Sequence, residues 1–254
     1  MNNYFHLNIE KIINFLLLLL IILIFFALLT GYQCKYIEPS FCNFSLIKNL
    51  LKENGLIESL QFILLLMSIL ILFSTIKKVK KKNFENIFII LKLLALTYYL
   101  GEEISWGQHF FKWSSPEIFI ELNNQKETNL HNISNLFDQL PRSLVILWCS
   151  LIPIIFFYLT RNYAFKNEMH LIFLPHIKLL IVSIILLILF LPDFFVDKLN
   201  LHPGHYIGGK GIEASKFYDF ISFNYLERLS EIHELIFCFY FFIYSVSLSE
   251  KLKK

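Results

Sequence analysis

Long apolar runs alternate along the chain with short charged or amide-rich segments, and the runs lie at about 12–30, 57–76, 84–106, 143–160, 179–195 and 231–248. Each is close to the roughly 20 helical residues that cross a hydrocarbon core of about 30 Å at 1.5 Å per residue. The pattern predicts an all-α fold, an integral membrane bundle of about six transmembrane helices forming a single polytopic domain over residues 1–254. The first run, Ile12 to Thr30, is longer than the apolar stretch of a usual signal peptide and ends without a small-x-small cleavage pattern, so it is expected to stay as a span. Gln33 stands before Cys34 where a lipidation site would carry a small residue, and lipidation is not expected.

Composition narrows the class further. At 56% hydrophobic and 17% charged, the chain is too apolar for an ordinary soluble domain, which carries about 25% charge. The net charge of +3 is spread over the loops rather than gathered on a folded unit, which argues against nucleic acid as a partner. Membrane lipids are the expected surroundings.

Charge also orients the spans. Lys11, Lys77, Lys78, Lys80, Lys81, Lys82, Arg161, Lys166, Lys178, Lys251, Lys253 and Lys254 fall on the side of the N-terminus. Lys and Arg are about threefold denser there than on the opposite side, which predicts both termini in the cytoplasm. Acids divide the other way: only Glu10, Glu85, Glu168 and Glu250 fall inside, so 16 of the 20 acids lie toward the outer side with five of the eight histidines. The outer segments 31–56, 101–142 and 196–230 are also long for connections between packed helices, and long loops are commonly functional.

Candidate chemistry concentrates in the middle outer segment. The third span runs into Gly101-Glu102-Glu103-Ile104-Ser105-Trp106-Gly107-Gln108-His109. In a continuing helix Glu102, Trp106 and His109 would share a face and Glu103 would point about 100° away. One acid could then bind a metal with His109 while the other holds a neighbouring helix; equally, the doublet could be a solvated helix end with Trp106 in the aromatic belt. Downstream, Asn123-Asn124-Gln125-Lys126-Glu127-Thr128-Asn129-Leu130-His131-Asn132 places Glu127 and His131 four residues apart, on one face of a helical turn. That spacing suits two ligands of a divalent ion or a carboxylate orienting an imidazole, and the bland reading is a polar loop satisfying its own turns.

The two segments together resemble an uncharacterised family of multi-pass bacterial membrane proteins, whose members share a Gly-Glu-Glu-x-Ser-Trp-Gly-Gln run and an Asn-x-Gln-x-Glu-x-Asn-Leu-His-Asn run. The resemblance covers residues 101–132 closely and carries onto Glu102, Glu103, Ser105, Trp106, Gln108, Asn123, Gln125, Glu127, Asn129 and His131. It implies no known reaction, and His109 stands where Arg is more readily expected.

The sixth span opens with Glu227, Glu231 and Glu234 on one stripe, and an acidic stripe entering an apolar helix must face protein or a wet cavity. Asn54, Glu58 and Gln61 repeat the spacing at the second span. A polar cavity at the outer ends of the second, third and sixth helices is therefore expected. Elsewhere, the His202-Pro203-Gly204-His205 turn is too sparse for a metal site, and Gly208-Gly209-Lys210-Gly211 lacks the Ser or Thr of a phosphate-binding loop. Cys34 and Cys42 could bond in an oxidising compartment, while Cys149 and Cys238 fall inside spans as packing residues. Lys92 stands inside the third span, and an intramembrane charge is a functional-site candidate by default.

Two function classes follow. In the first, a metal-dependent membrane hydrolase or transferase acts on a lipid or lipid-linked substrate. Its catalytic residues would be Glu102, Glu103, Glu127 and His131, its divalent-metal ligands Glu103, His109, His131, Glu231 and Glu234, and its head-group contacts Asn123, Gln125, Asn129 and Asn132. In the second, a non-catalytic transporter or assembly subunit uses the same acids to bind cations or fasten helices.

Overall fold

The computed structural model describes residues 10–11, 13–25, 55–77, 83–123, 126–130, 133–162, 172–198 and 229–252. Among them every regular element is helical. In chain order these are α1 (Ile13–Phe25), α2 (Leu56–Ile76), α3 (Asn83–Glu103), a 3₁₀ turn (Ser105–Gly107), α4 (Gln108–Phe111), α5 (Glu117–Leu122), α6 (Asn135–Ile146), a π-helical turn (Leu147–Leu151), α7 (Ile152–Asn162), α8 (Lys178–Lys198) and α9 (Leu229–Leu252).

Four stretches are long and apolar enough to cross a membrane: Leu56–Ile76, Phe84–Glu103, Leu140–Arg161 and Glu231–Leu252. The expected first and fifth spans contain the shorter apolar helices Ile13–Phe25 and Lys178–Phe190. The expected count of six crossing helices is thus met by four, by length and composition, among the described residues. The chain divides into two units, 1–60 with 184–239 and 61–183 with 240–254.

Burial along α2 runs opposite to that of a soluble helix. Its buried positions are Gln61, Leu64, Leu65, Ser68, Leu72 and Thr75, a stripe at helical spacing that contains every polar residue of the helix centre except Ser74. The exposed face carries Ile63, Met67, Leu70 and Phe73. Ser68 and Thr75 return their hydroxyl protons to the carbonyls of Leu64 and Ile71, each at 2.7 Å. Polar groups inside, with the two hydroxyls self-satisfied, and large apolar groups outside are the arrangement a helix adopts when its solvent is hydrocarbon.

Helix α9 is buried over most of its length, with Tyr240 and Tyr244 fully enclosed. Tyr244 donates its hydroxyl to the carbonyl of Ile172 at 2.6 Å. The π turn at Leu147–Leu151 precedes Pro153, which has no N–H to offer the carbonyl of Cys149 four residues back. The Ser183 hydroxyl on α8 lies 2.6 Å from that oxygen and 2.9 Å from the Leu179 carbonyl, so its one proton serves the nearer Cys149 oxygen and the α8 carbonyl between them. Cys149 and Cys238 are both buried free thiols, consistent with packing roles. The expected Cys34 to Cys42 bond lies outside the described residues.

Candidate functional site: a hydrogen-bonded knot at the end of α3

The third helix ends at Glu103 instead of running through Trp106, and three successive residues with positive φ turn the chain away. Ser105 lies at 46°, Trp106 at 54° and Gly107 at 99°. The expected common face for Glu102, Trp106 and His109 therefore does not form as a continuous helix. Trp106 instead folds back over the last turn of α3. A Cβ at Gly101 would stand 2.9 Å from the Trp106 ring, so glycine there gives the indole its seat. At Gly107 the requirement is conformational, because L side chains rarely adopt a φ near 99°.

Folding back brings the Trp106 indole N–H to Glu102 Oε1 at 2.8 Å. The other oxygen of Glu102 accepts the backbone N–H of Leu130 at 2.7 Å. One buried carboxylate thus joins the end of α3 to a segment 28 residues further along. A second carboxylate ties the same two segments: Glu127 Oε2 accepts from Ser105 Oγ at 2.8 Å and from Asn129 Nδ2 at 2.7 Å.

The amides complete the network. Asn123 donates from Nδ2 to Asn129 Oδ1 at 2.7 Å and to the Glu127 carbonyl at 2.8 Å. Gln108 accepts from the backbone N–H of Thr128 at 2.8 Å and donates to Ser115 Oγ at 2.9 Å. Thr128 Oγ1 donates to the Ser105 carbonyl at 2.6 Å. Asn123 and Asn129 are only 2% and 1% exposed, so their amides face the interior of the knot. Residues 126–130 are not helical and Lys126 has φ 57°, so the helical turn expected to start at Glu127 does not form over these residues; His131 lies outside the described residues. Trp106, Phe110, Phe111 and Trp113 are exposed around the knot, the composition of an interfacial aromatic belt.

Of the candidate catalytic and head-group residues, the structure brings together Glu102, Glu127, Asn123 and Asn129, and adds Ser105, Gln108, Ser115 and Thr128. Glu103 closes α3 beside them and is engaged in an interaction of its own. Glu231 is buried and Glu234 half-buried on α9, in the other unit, where His233 stacks on Phe190 with ring centroids 4.1 Å apart. Gln125, His131, Asn132 and Glu227 lie outside the described residues, as does the side chain of His109. Among the described residues no group of three or more His, Cys, Asp or Glu side chains is placed to hold a metal ion.

Ser115 and Thr128 had no signal in the sequence, since each acts through one hydroxyl placed by loop geometry. No family model, curated protein or solved structure matches the chain.

Proposed function

We propose that this chain is a multi-pass protein of a bacterial inner membrane, with both termini in the cytoplasm, whose outer acids fasten the structure rather than perform catalysis. It then belongs with non-catalytic membrane proteins such as assembly subunits, and the knot at residues 101–130 holds its outer segment in one shape. One observation carries this reading. Both oxygens of Glu102 and Oε2 of Glu127 are taken by N–H and O–H donors from the same two short segments. Two internal donors to each carboxylate fix its orientation and offset part of its negative charge without a metal.

Metal analysis of the purified protein in mild detergent tests the assignment. The expected result is less than about 0.1 equivalent of any divalent metal per chain, and a melting midpoint unchanged by chelator. A stoichiometric metal that disappears in Glu103→Gln or His131→Ala would overturn the reading in favour of a metal-dependent hydrolase or transferase acting on a lipid-linked substrate.

A further inference from the structure

Lys92 stands nine residues beyond Asn83, the first residue of α3. At 1.5 Å per residue that places it about 14 Å along the helix, close to the middle of a hydrocarbon core roughly 30 Å thick. Its ammonium nitrogen sits 3.1 Å from the centroid of the Trp148 ring, with Phe241, Tyr244 and Phe88 at 5.5, 5.6 and 5.9 Å. Electron-rich ring faces compensate part of a positive charge at this depth. They do not supply an anion.

Two further observations converge on the same place. A cavity of about 250 Å³ is lined by Lys92, Ala95, Tyr99, Leu144, Trp148 and Phe241, among others. The indole N–H of Trp148 is buried and has no acceptor among the described residues. Trp148 itself belongs to the π-helical turn, a local widening of the helix that is frequent at functional sites. The cavity wall thus carries the Lys92 amine and a Trp148 N–H that has no acceptor among the described residues. Its rim residues Leu144 and Leu147 are exposed, so an apolar chain leaving the cavity passes into surroundings of its own kind.

We propose that this cavity binds the carboxylate end of a single-chain lipid acid, with the oxygens accepting from Lys92 and Trp148 and the tail running out into the bilayer. The chemistry selects the ligand. Two donors with one positive charge call for a small acceptor of one negative charge. The cavity of about 250 Å³ has room for a carboxylate and its first methylenes. This proposal is independent of the role given to the knot.

Equilibrium binding of radiolabelled oleate to the full chain in nanodiscs tests it. Oleate should bind saturably, and methyl oleate should compete at least about tenfold more weakly, because the ester carries no charge. Lys92→Met should weaken oleate binding by about tenfold or more, and Lys92→Arg should retain it within about threefold. Ala95→Trp keeps the cation but fills the cavity, so it should abolish binding; this variant decides the matter if Lys92→Met does not fold. Oleate bound equally by wild type and Ala95→Trp, or methyl oleate competing as well as oleate, would overturn the proposal. Displacement of oleate by an equimolar single-chain lysophosphatidate at least about tenfold more effective than oleate itself would overturn the carboxylate assignment and point to a lipid phosphate.

Discussion

Glu102 and Lys92 stand on the same helix, ten residues apart, and the protein treats the two charges differently. Around Glu102 the chain bends back on itself, and each carboxylate oxygen receives an N–H at 2.7 or 2.8 Å. Around Lys92 the neighbours are ring faces, with a cavity on one side. A charge near a low-dielectric core persists only where something compensates it. The comparison teaches that compensation from within the chain makes a fastening, whereas incomplete compensation beside a cavity makes a receptor for a ligand of opposite charge.

The largest effect is expected from removing the first kind of compensation. Glu102→Ala deprives the Trp106 indole and the Leu130 amide of their acceptor at once, and each lost hydrogen bond to a charged group is worth about 1.5–3 kcal/mol. Because Trp106 is 46% exposed and can recover some bonding to water, the loss should total about 2–4 kcal/mol. Denaturant or thermal unfolding in mild detergent measures it. Glu102→Gln keeps one carbonyl oxygen and should lose about half as much; equal stability of wild type and Glu102→Ala would remove the knot's structural role.

Legibility in the sequence follows the same division. The apolar runs mark the helices well: the expected 57–76 becomes Leu56–Ile76 and the expected 179–195 becomes Lys178–Lys198. Boundaries fail where tertiary contacts decide them. The helix expected at 143–160 extends back to Asn135, because Ser134 caps a polar, amphipathic turn that hydropathy alone does not count. The helix expected to reach Trp106 stops at Glu103, because the indole is needed over Gly101. The two motif segments were recognisable as candidate chemistry, yet their mutual bonding was not, since an irregular loop has no period from which facing residues can be read. Lys92 was visible as an anomaly, but its main neighbour Trp148 lies 56 residues away and is an aromatic ring rather than the acid that charge pairing suggests.

A smaller effect tests whether the knot depends on its backbone as well as its carboxylates. Gly107 combines φ 99° with a Trp113 ring atom 3.1 Å from where a Cβ would stand. Gly107→Ala should therefore cost about 1–2 kcal/mol through the left-handed backbone, with the closeness to Trp113 acting in the same direction. Thermal unfolding of the variant beside Glu102→Ala shows whether the two losses add. Losses that fall short of additivity would show both residues serving one cooperative unit, as neighbours in a shared network do.

The smallest effect belongs to the cavity side of the comparison. Ser183 donates to the Cys149 carbonyl, which Pro153 cannot serve, and this bond sits directly behind the π turn that carries Trp148. Ser183→Ala removes one buried hydrogen bond and should cost about 1 kcal/mol, a fall of about 2–4 °C in melting midpoint for a chain of this size. Its second consequence is local. If the π turn depends on this bond, loss of the hydroxyl lets the turn relax, and the emission of Trp148 should shift in a variant where Trp106 and Trp113 are replaced by Phe. Ser183→Thr retains the hydroxyl and should restore both readouts. A lowered midpoint with unchanged Trp148 emission would mean that the π turn is held by Pro153 and the neighbouring backbone alone, and that the cavity wall does not rely on α8.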